Sequence, residues 1–474
     1  MVAARDTTPP AVVAYQRGRT GVAAQPKVGS GAWWGSPWWI ASYVLIVVAG
    51  GALALLLHSL GQSTTGACPG QAVPASQTMP GLNPDALRQA AMYALPTLIV
   101  WIVLFILVDR YRPQRLRLLL VVLGWGGCVA VTLAYYVNSW ASCQMAVIDD
   151  TSGVQAIRVA VFVAPFVEEF CKGSVVFLVA ILDRNLFTSR VSGAVLGGLA
   201  GAGFAFTENI VYYARAIVYG SYTAGAGDVQ EAVHQLVRMR GLYTCFAHPL
   251  FTLMTGVGVA FAVSSRSKIV RVVAPITGYL GAALLHMLFN GLTSIMDENS
   301  LMRLYLLMAL PFVVGVAVRV VMTVVKQGQV VSARLNDYVT MGWLPESYPA
   351  AFSRLRRRAW TIVMSLWHGN VADTWRLQRD VTQLAYVREA IDRGVIDQAG
   401  LWRERELVDR IRDVAQRRAL VDATGLRPYW PWRNRRRSRL FAQRNGPGSA
   451  GLPFQSGAIP VEYSAVDPRW GPPA

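Results

Sequence analysis

Eight stretches of the sequence are apolar over the length that a helix needs to cross a lipid bilayer, which is about 20 residues. Because 53% of the 474 residues are hydrophobic and only 15% are charged, the chain is too apolar for an ordinary soluble protein. We therefore predict an all-α polytopic membrane protein with about eight transmembrane helices and a cytoplasmic helical extension. The predicted spans are residues 37–59, 89–108, 117–138, 156–182, 191–214, 241–263, 270–296 and 302–325.

The loops between these spans predict the orientation of the chain. Cytoplasmic loops of membrane proteins are enriched in Lys and Arg. If the N-terminus is inside, the basic loop residues fall on the cytoplasmic side and the acidic ones on the opposite side, so we predict a multi-pass protein of the cell membrane with both termini cytoplasmic. The basic residues are Arg110, Arg112, Arg115, Arg117, Arg184, Arg190, Arg266, Lys268 and Arg271, and the acidic ones are Asp85, Asp149, Asp150, Asp228, Glu231, Asp297 and Glu298.

Changes in composition divide the chain into four parts. Residues 1–36 contain basic residues but no apolar core, so we predict a disordered cytoplasmic tail and not a signal peptide. Residues 37–325 form the transmembrane domain. Residues 326–425 are charged, with a periodicity typical of amphipathic helices, and predict a cytoplasmic helical domain. Residues 426–474 are basic and rich in Pro and Gly, which predicts a disordered tail.

The formal net charge of +18 indicates what the chain contacts. Most of the basic residues lie in short loops or beyond residue 325, a pattern that favours membrane topology and attraction to the membrane surface over nucleic-acid binding. The cluster from Arg433 to Arg439 either contacts anionic lipid or is a solvated basic run, and the sequence favours neither.

Two of the cysteines fall in loops on the predicted outer side, where the environment is oxidising. These are Cys68 and Cys143, and a disulfide between them is possible on that side, although the sequence does not say whether they come close together. Cys128, Cys171 and Cys245 fall within predicted spans, where we expect them to be small packing residues.

Four consecutive predicted spans carry polar groups at membrane depth, where each ionisable residue costs about 2.5–3.5 kcal/mol. The fourth span contains Glu168, Glu169 and Lys172, spaced so that Lys172 can face either carboxylate across one helical turn. Counting along the helices at about 1.5 Å per residue places the acidic and imidazole groups in one layer of the outer membrane half. The later spans contribute Glu208 and Asn209, then Arg240 and His248, then His286 and Asn290.

Two carboxylates with two imidazoles suit either of two water-activating sites. They can hold Zn²⁺ or another divalent metal through three protein ligands, leaving one Glu as general base. Without a metal, a Glu and a His can activate water while Asn290 binds the developing oxyanion. Either site hydrolyses an amide bond, and the sequence does not distinguish them.

Each of these residues also has a structural explanation, since a single membrane histidine more often bonds a neighbouring helix than a metal. The ordered combination on consecutive spans favours a site. Two other functions compete: an ion- or proton-coupled transporter, and a non-catalytic scaffold. The transporter is disfavoured because the sequence contains no paired inverted halves.

The ordered motifs resemble the PrsW family of intramembrane proteases, which is similar in turn to the Glu-Glu group of CAAX-processing membrane proteases. The pattern E-E-x-x-K corresponds to Glu168–Lys172, F-x-x-x-E-N to Phe204–Asn209, the isolated histidine to His248, and H-x-x-x-N to His286–Asn290. The CAAX-processing branch fits less well, because it carries a His where this chain has Glu208. The resemblance covers residues of about 90–325 and implies a metallopeptidase-like enzyme.

The resemblance implies cleavage of a membrane-anchored regulator, typically an anti-sigma factor, near its extracytoplasmic side. With the residues above, it leads us to expect a transmembrane protease domain in residues 37–325, with Glu168 as the general base, although the roles of the two adjacent glutamates are exchangeable. Lys172 is expected to tune the carboxylates, Asn290 to stabilise the oxyanion, and Arg240 to lie at the outer mouth. The expected metal ligands or polarising groups are Glu169, Glu208, His248 and His286.

Overall fold

The structure is a computed structural model, and it is helical without strands throughout the residues that it describes. These are residues 37–63, 68, 78–111, 114, 116–146, 157–182, 187, 190–220, 228–265, 267–367, 369–392, 398–416 and 465–466. The tail predicted at residues 1–36, and all but residues 465–466 of the tail predicted at 426–474, lie outside the described residues.

The chain forms two compact units. Residues 31–109 and 113–318 make up the first, which we call the membrane unit. The described residues within 110–112 and 319–474 belong to the second, which we call the C-terminal unit. The division at residue 318 falls inside the last predicted span.

The helices of the membrane unit follow the apolar runs of the sequence. Three of them continue through π-helical turns, at Trp125–Ala130, Met239–Tyr243 and Tyr305–Ala309, and a fourth π-helical turn, Val159–Val163, precedes α5. The helices are α1 (Pro37–Gly61), α2 (Pro84–Val108), α3 (Leu116–Gly124), α4 (Val131–Ala146), α5 (Ala164–Leu182), α6 (Arg190–Gly220), α7 (Val229–Arg238), α8 (Ala247–Ser264), α9 (Lys268–Ile295), α10 (Glu298–Leu304) and the first part of α11 (Leu310–Thr340).

Among the described residues, seven helical segments are long and apolar enough to cross a membrane. The predicted span at 156–182 is not one of the seven, because Glu168, Glu169 and Lys172 interrupt its apolar character. The prediction of an all-α polytopic membrane protein is confirmed, and about eight spans is close to the observed number. The seven segments are Ile40–Gly61, Pro84–Val108, Leu116–Met145, Val191–Gly220, Val229–Ser264, Lys268–Ile295 and Asn299–Thr340.

Helices α6 and α8 pack with their backbones in direct contact. Three glycines at intervals of four residues line one face of α6, so the α8 backbone lies where their side chains would be. This contact fixes the register of α8 against α6 and so places His248 beside the α6 face that carries Glu208. A Cβ added at Gly193, Gly197 or Gly201 would lie 2.2, 2.4 or 2.4 Å from the carbonyl oxygen of Gly256, Thr252 or His248, respectively.

The C-terminal unit has its own apolar core. Its helices are the remainder of α11, then α12 (Tyr348–Ser353), α13 (Leu355–Trp367), α14 (Val371–Asp392) and α15 (Gln398–Gln416). Val331, Leu335, Val381 and Leu407 lie fully buried at the centre of this core. The unit therefore folds around a hydrophobic cluster of its own.

Candidate active site

A break in the helical run from Val229 to Ser264 positions the first histidine. The π-helical turn ends at Tyr243, and α8 begins at Ala247. Pro249 falls in the first turn of α8, where its missing N–H has no intrahelical partner to lose. Two side chains of α2 bind the carbonyl groups near the break: Thr97 donates to Gly241 at 2.9 Å and Trp101 donates to Cys245 at 3.0 Å. The break thereby directs His248, the second residue of α8, into the bundle.

Glu168, Glu169, Lys172, Glu208, His248 and His286 form a polar cluster inside the bundle, and Lys172 lies at its centre. Its side chain is fully buried, and the spacing on α5 brings it within reach of both adjacent carboxylates. The ammonium group donates to Glu168 Oε2 at 3.1 Å, to Glu169 Oε1 at 2.9 Å and to His248 Nδ1 at 2.9 Å. It also lies 3.8 Å from the centre of the Phe204 ring, a cation–π contact. Two carboxylates, an imidazole and an aromatic face thus stabilise one buried cation.

Each of the two histidines is hydrogen-bonded to a carboxylate through one ring nitrogen. His248 Nε2 lies 2.9 Å from Glu208 Oε2, and His286 Nδ1 lies 3.1 Å from Glu169 Oε1. Because an ionised carboxylate can only accept, these nitrogens carry the protons. The remaining nitrogens, His248 Nδ1 and His286 Nε2, then carry the lone pairs, and the lone pair of His248 accepts from Lys172.

The two orienting carboxylates are themselves held in place. Thr252 of α8 donates to Glu169 Oε2 at 2.8 Å. Arg240 donates to Glu208 Oε2 at 2.5 Å and, through Nε, to Asn209 Oδ1 at 2.8 Å. The π-helical turn that contains Arg240 therefore fixes the Glu208–Asn209 pair of α6, which in turn fixes the His248 ring.

Glu168 lies close to His286, whose ring is next to that of His248. His286 Nε2 lies 4.0 Å from Glu168 Oε2, and the two imidazole rings lie 5.1 Å apart. Glu168, His248 and His286 each offer one ligand atom, and these three atoms lie within 4.8 Å of one another. Three convergent ligands, two of them histidines oriented by second carboxylates, are typical of a catalytic metal site.

Comparison with known proteins supports this geometry. Residues 114–316 match the model of the PrsW family of intramembrane metalloproteases. Over these residues the chain is similar to the PrsW-family proteases. No curated protein and no solved structure matches the chain at a significant level. The PrsW match extends from α3 to the beginning of α11, so it includes every residue of the polar cluster, and the resemblance seen in the motifs is confirmed.

The structure places the residues expected in the site as follows. Glu168, His248 and His286 come together, whereas Glu169 and Glu208, expected as metal ligands or polarising groups, lie outside this group of three and bond the histidines. Asn290, expected to bind an oxyanion, lines the same cavity as Glu168 and donates to the carbonyl of Ala160 at 2.8 Å.

The structure also places the other residues expected in the site and the two cysteines of the expected disulfide. Phe204 packs against Lys172, and Asn209 and Arg240 bond each other. Cys68 and Cys143 are joined by a disulfide, with their Cα atoms 5.3 Å apart.

A cavity of about 370 Å³ adjoins the cluster. Glu168, Glu208 and both histidines line it, but Glu169 and Lys172 do not. Asn138 of α4 also lines it, with its amide nitrogen 3.4 Å from Glu168 Oε1 and its buried Oδ1 without a hydrogen-bond partner among the described residues. Asn138 and Thr252 were not among the site residues predicted from the sequence. The adjacent polar residues Asn138 and Ser139 at the end of the third predicted span were a signal for the former.

Proposed function

We propose that this protein is a metal-dependent endopeptidase that cleaves a membrane-anchored protein near the extracytoplasmic side of the membrane. The observation that carries the proposal is the convergence of one ligand atom each from Glu168, His248 and His286, with both histidines oriented by second carboxylates. One oxygen and two imidazole nitrogens suit Zn²⁺, and three protein ligands leave a fourth position for water or substrate. The family description as metalloproteases agrees with this donor set.

In the proposed site, Glu168 Oε2, His248 Nδ1 and His286 Nε2 would hold the metal. When bound, the metal would polarise the scissile carbonyl and lower the pKa of water. Glu208 and Glu169 keep the histidines in the tautomers that present these nitrogens. Glu168 is the member of the Glu-Glu pair that lines the cavity, and its Oε1 faces Asn138. We assign to Oε1 the acceptance of the proton from the attacking water and its transfer to the leaving amine.

One observation favours a metal-free alternative. The Lys172 ammonium lies 2.9 Å from His248 Nδ1 and 3.1 Å from Glu168 Oε2, so it bonds two of the three proposed metal ligands. In this second mechanism, Lys172 remains at the centre, and Glu168 with His286 activates water directly. Metal analysis separates the two mechanisms.

The disulfide supports cleavage on the extracytoplasmic side. Disulfides persist in oxidising compartments, and Cys143 lies near the C-terminal end of α4, bonded to Cys68. The neighbouring residue Ser142 lines the catalytic cavity, as do Asn138 and Ser139 on the same helix. The cavity therefore extends toward the disulfide end of α4. With that end outside, both termini are cytoplasmic in the cell membrane.

The resemblance to the family implies a membrane-anchored regulator such as an anti-sigma factor as the substrate, and a site among helices that cross the membrane suits such a substrate. We further propose that the basic cluster from Arg433 to Arg439, which is outside the described residues, contacts anionic lipid.

Purified protein reconstituted in lipid tests the proposal. With a fluorescent reporter anchored by one transmembrane helix, we expect cleavage by the native protein and its loss in Glu168→Gln and His286→Ala. About one metal ion per chain should be present in the native protein and lost in His286→Ala. His234→Ala is the matched control, since His234 lies outside the cavity and bonds Gln230. Native cleavage without bound metal would support the metal-free mechanism, and no cleavage of any membrane-anchored protein would contradict the proposal.

A further inference from the structure

A second cavity, of about 320 Å³, lies between α8, α9 and the π-helical turn before α11. We call it the apolar groove. No charged residue lines it, and its walls are almost entirely hydrophobic side chains such as Leu250, Leu288, Met308 and Phe312. The catalytic cavity, by contrast, is lined by glutamates, arginines, histidines and asparagines.

The apolar groove adjoins the catalytic cavity. Thr244 and Phe289 line both of them. Phe251, another wall residue of the groove, stacks on the His286 ring with the ring centres 5.2 Å apart and packs against Phe289 at 5.9 Å. A molecule in the groove is thus separated from a proposed metal ligand by a single aromatic ring.

The groove is open toward the lipid-facing side of the helices. Leu288, Met308 and Phe312 are 55%, 65% and 52% exposed, and all three lie in segments long and apolar enough to span the membrane. At this depth the surroundings are hydrocarbon, so an occupant arrives from within the bilayer. A helix with its side chains is about 10–12 Å wide, so a groove of this volume receives the apolar side chains of one helix face and not a whole helix.

We propose that the apolar groove docks the transmembrane helix of the substrate. This inference rests on the proposed function, because a peptide bond must reach Glu168 from a membrane-embedded chain. The apolar face of the helix packs on Leu288 and Met308, and the chain beyond it passes Thr244 and Phe289 into the polar cavity, where unwound backbone N–H and C=O groups find hydrogen-bonding partners. A lipid acyl chain also fits the groove by chemistry, but it brings no peptide bond for the proposed endopeptidase to cleave.

Photocrosslinking tests docking independently of catalysis. The probe is a reporter anchored by one Leu/Ala helix of about 20 residues with a Gly-Pro break near its outer end, and the host is the Glu168→Gln variant, in which the reporter stays intact. A benzophenone side chain at Met308 should capture the reporter at least fivefold more than one at Leu307. Leu307 is the matched control because it is adjacent and 76% exposed but does not line the groove.

A second measurement uses the active protein. Leu288→Trp fills the groove and should raise the KM for the reporter about tenfold with little change in kcat. Leu284→Trp, one turn earlier and 50% exposed but outside the groove, should leave both unchanged.

The outcomes separate the two proposals. Cleavage that is insensitive to Leu288→Trp, with equal capture at Met308 and Leu307, overturns the docking proposal while the protease proposal stands. Capture at Met308 of lipid and not of the reporter also overturns it. Preferential capture of the reporter by a protein that cleaves nothing supports docking and overturns the proposed function.

Discussion

The ammonium nitrogen of Lys172 lies 2.9 Å from Nδ1 of His248, the nitrogen that the proposed metal uses. The side-chain cation and a metal ion therefore compete for one lone pair. The same ammonium compensates two buried carboxylates, at 3.1 and 2.9 Å, so its presence stabilises the metal-free protein. Metal binding requires Lys172 to move away from His248.

Replacing Lys172 by Met should shift this competition. We expect zinc affinity to rise by at least about tenfold, equivalent to about 1.4 kcal/mol. The metal-free protein should lose about 3–5 kcal/mol of stability, because buried carboxylates lose their cation. Chelator competition and thermal unfolding with and without zinc measure both effects. Lys172→Arg keeps the charge, and equal zinc affinity in the Met and Arg variants would contradict the competition.

Replacing Glu208 by Gln should weaken the metal site without abolishing it. A glutamine amide can donate to His248 Nε2 and so favour the tautomer in which Nδ1, the proposed ligand, is protonated. Loss of an orienting carboxylate typically costs 10–100-fold in metal affinity, so we expect a loss of about that size. Zinc titration of the purified variant measures it. Glu169→Gln should lower zinc affinity similarly, through His286, whereas His286→Ala should abolish zinc binding. Identical losses of affinity in all three variants would argue against separate orienting and ligand roles.

The helices were predictable from sequence because apolar length alone determines a span. The break before His248 was not predictable from sequence. It depends on Thr97 and Trp101, which lie 144 residues earlier than the Gly241 and Cys245 carbonyls that they bind. A continuous apolar run therefore predicted one helix at 241–263, where the structure has a π-helical turn, a break and α8.

The candidate site was predictable in its members but not in their roles. Glu168, Glu169 and Lys172 share one helix, so their spacing alone brings them together. Helix rotation and side-chain conformation decide which glutamate faces the histidine nitrogens and which one bonds a histidine N–H. Sequence spacing specifies neither. Asn290 illustrates the same limit, because its amide is used by the carbonyl of Ala160, which belongs to a π-helical turn that the sequence did not predict.

Asn138 and Asn290 should differ in their effects on catalysis. We propose that the Asn138 amide, which faces Glu168 and the cavity, binds the developing oxyanion, so Asn138→Ala should lower kcat about 100-fold, a typical loss for one oxyanion donor. Asn290→Ala leaves the Ala160 carbonyl without its side-chain donor and should lower stability by about 1–3 kcal/mol with a smaller effect on kcat. Steady-state kinetics and thermal unfolding of both variants distinguish them. A larger kcat loss in Asn290→Ala would restore the role expected from the sequence.

Gly256→Ala should destabilise the helix packing that positions His248. An added Cβ would lie 2.0 Å from the carbonyl oxygen of Gly193, so α6 and α8 must move apart. Overpacking of this kind costs about 1–3 kcal/mol, and we expect activity to fall as well, since His248 and Glu208 lie on these two helices. Gly50→Ala is the matched control, because nothing lies within 4 Å of its added Cβ. Thermal unfolding in detergent compares the two, and equal midpoints would contradict the tight contact.

Asp109, just beyond the end of α2, should make stability depend on pH. Burial raises the pKa of its carboxyl from the ordinary 3.8 to about 8, against the opposing hydrogen bond from the Gln114 N–H. The folded chain then retains a proton that the unfolded chain releases between these values, so stability should fall as pH rises from about 4 to about 8, by at most about 1.4 kcal/mol per unit. Asp109→Asn keeps an acceptor for Gln114 but does not titrate. Its unfolding midpoint should exceed that of the native protein at pH 8 and match it at pH 4, because the native carboxyl is protonated when folded at the lower pH. An unchanged pH dependence in the variant would show that another group is responsible.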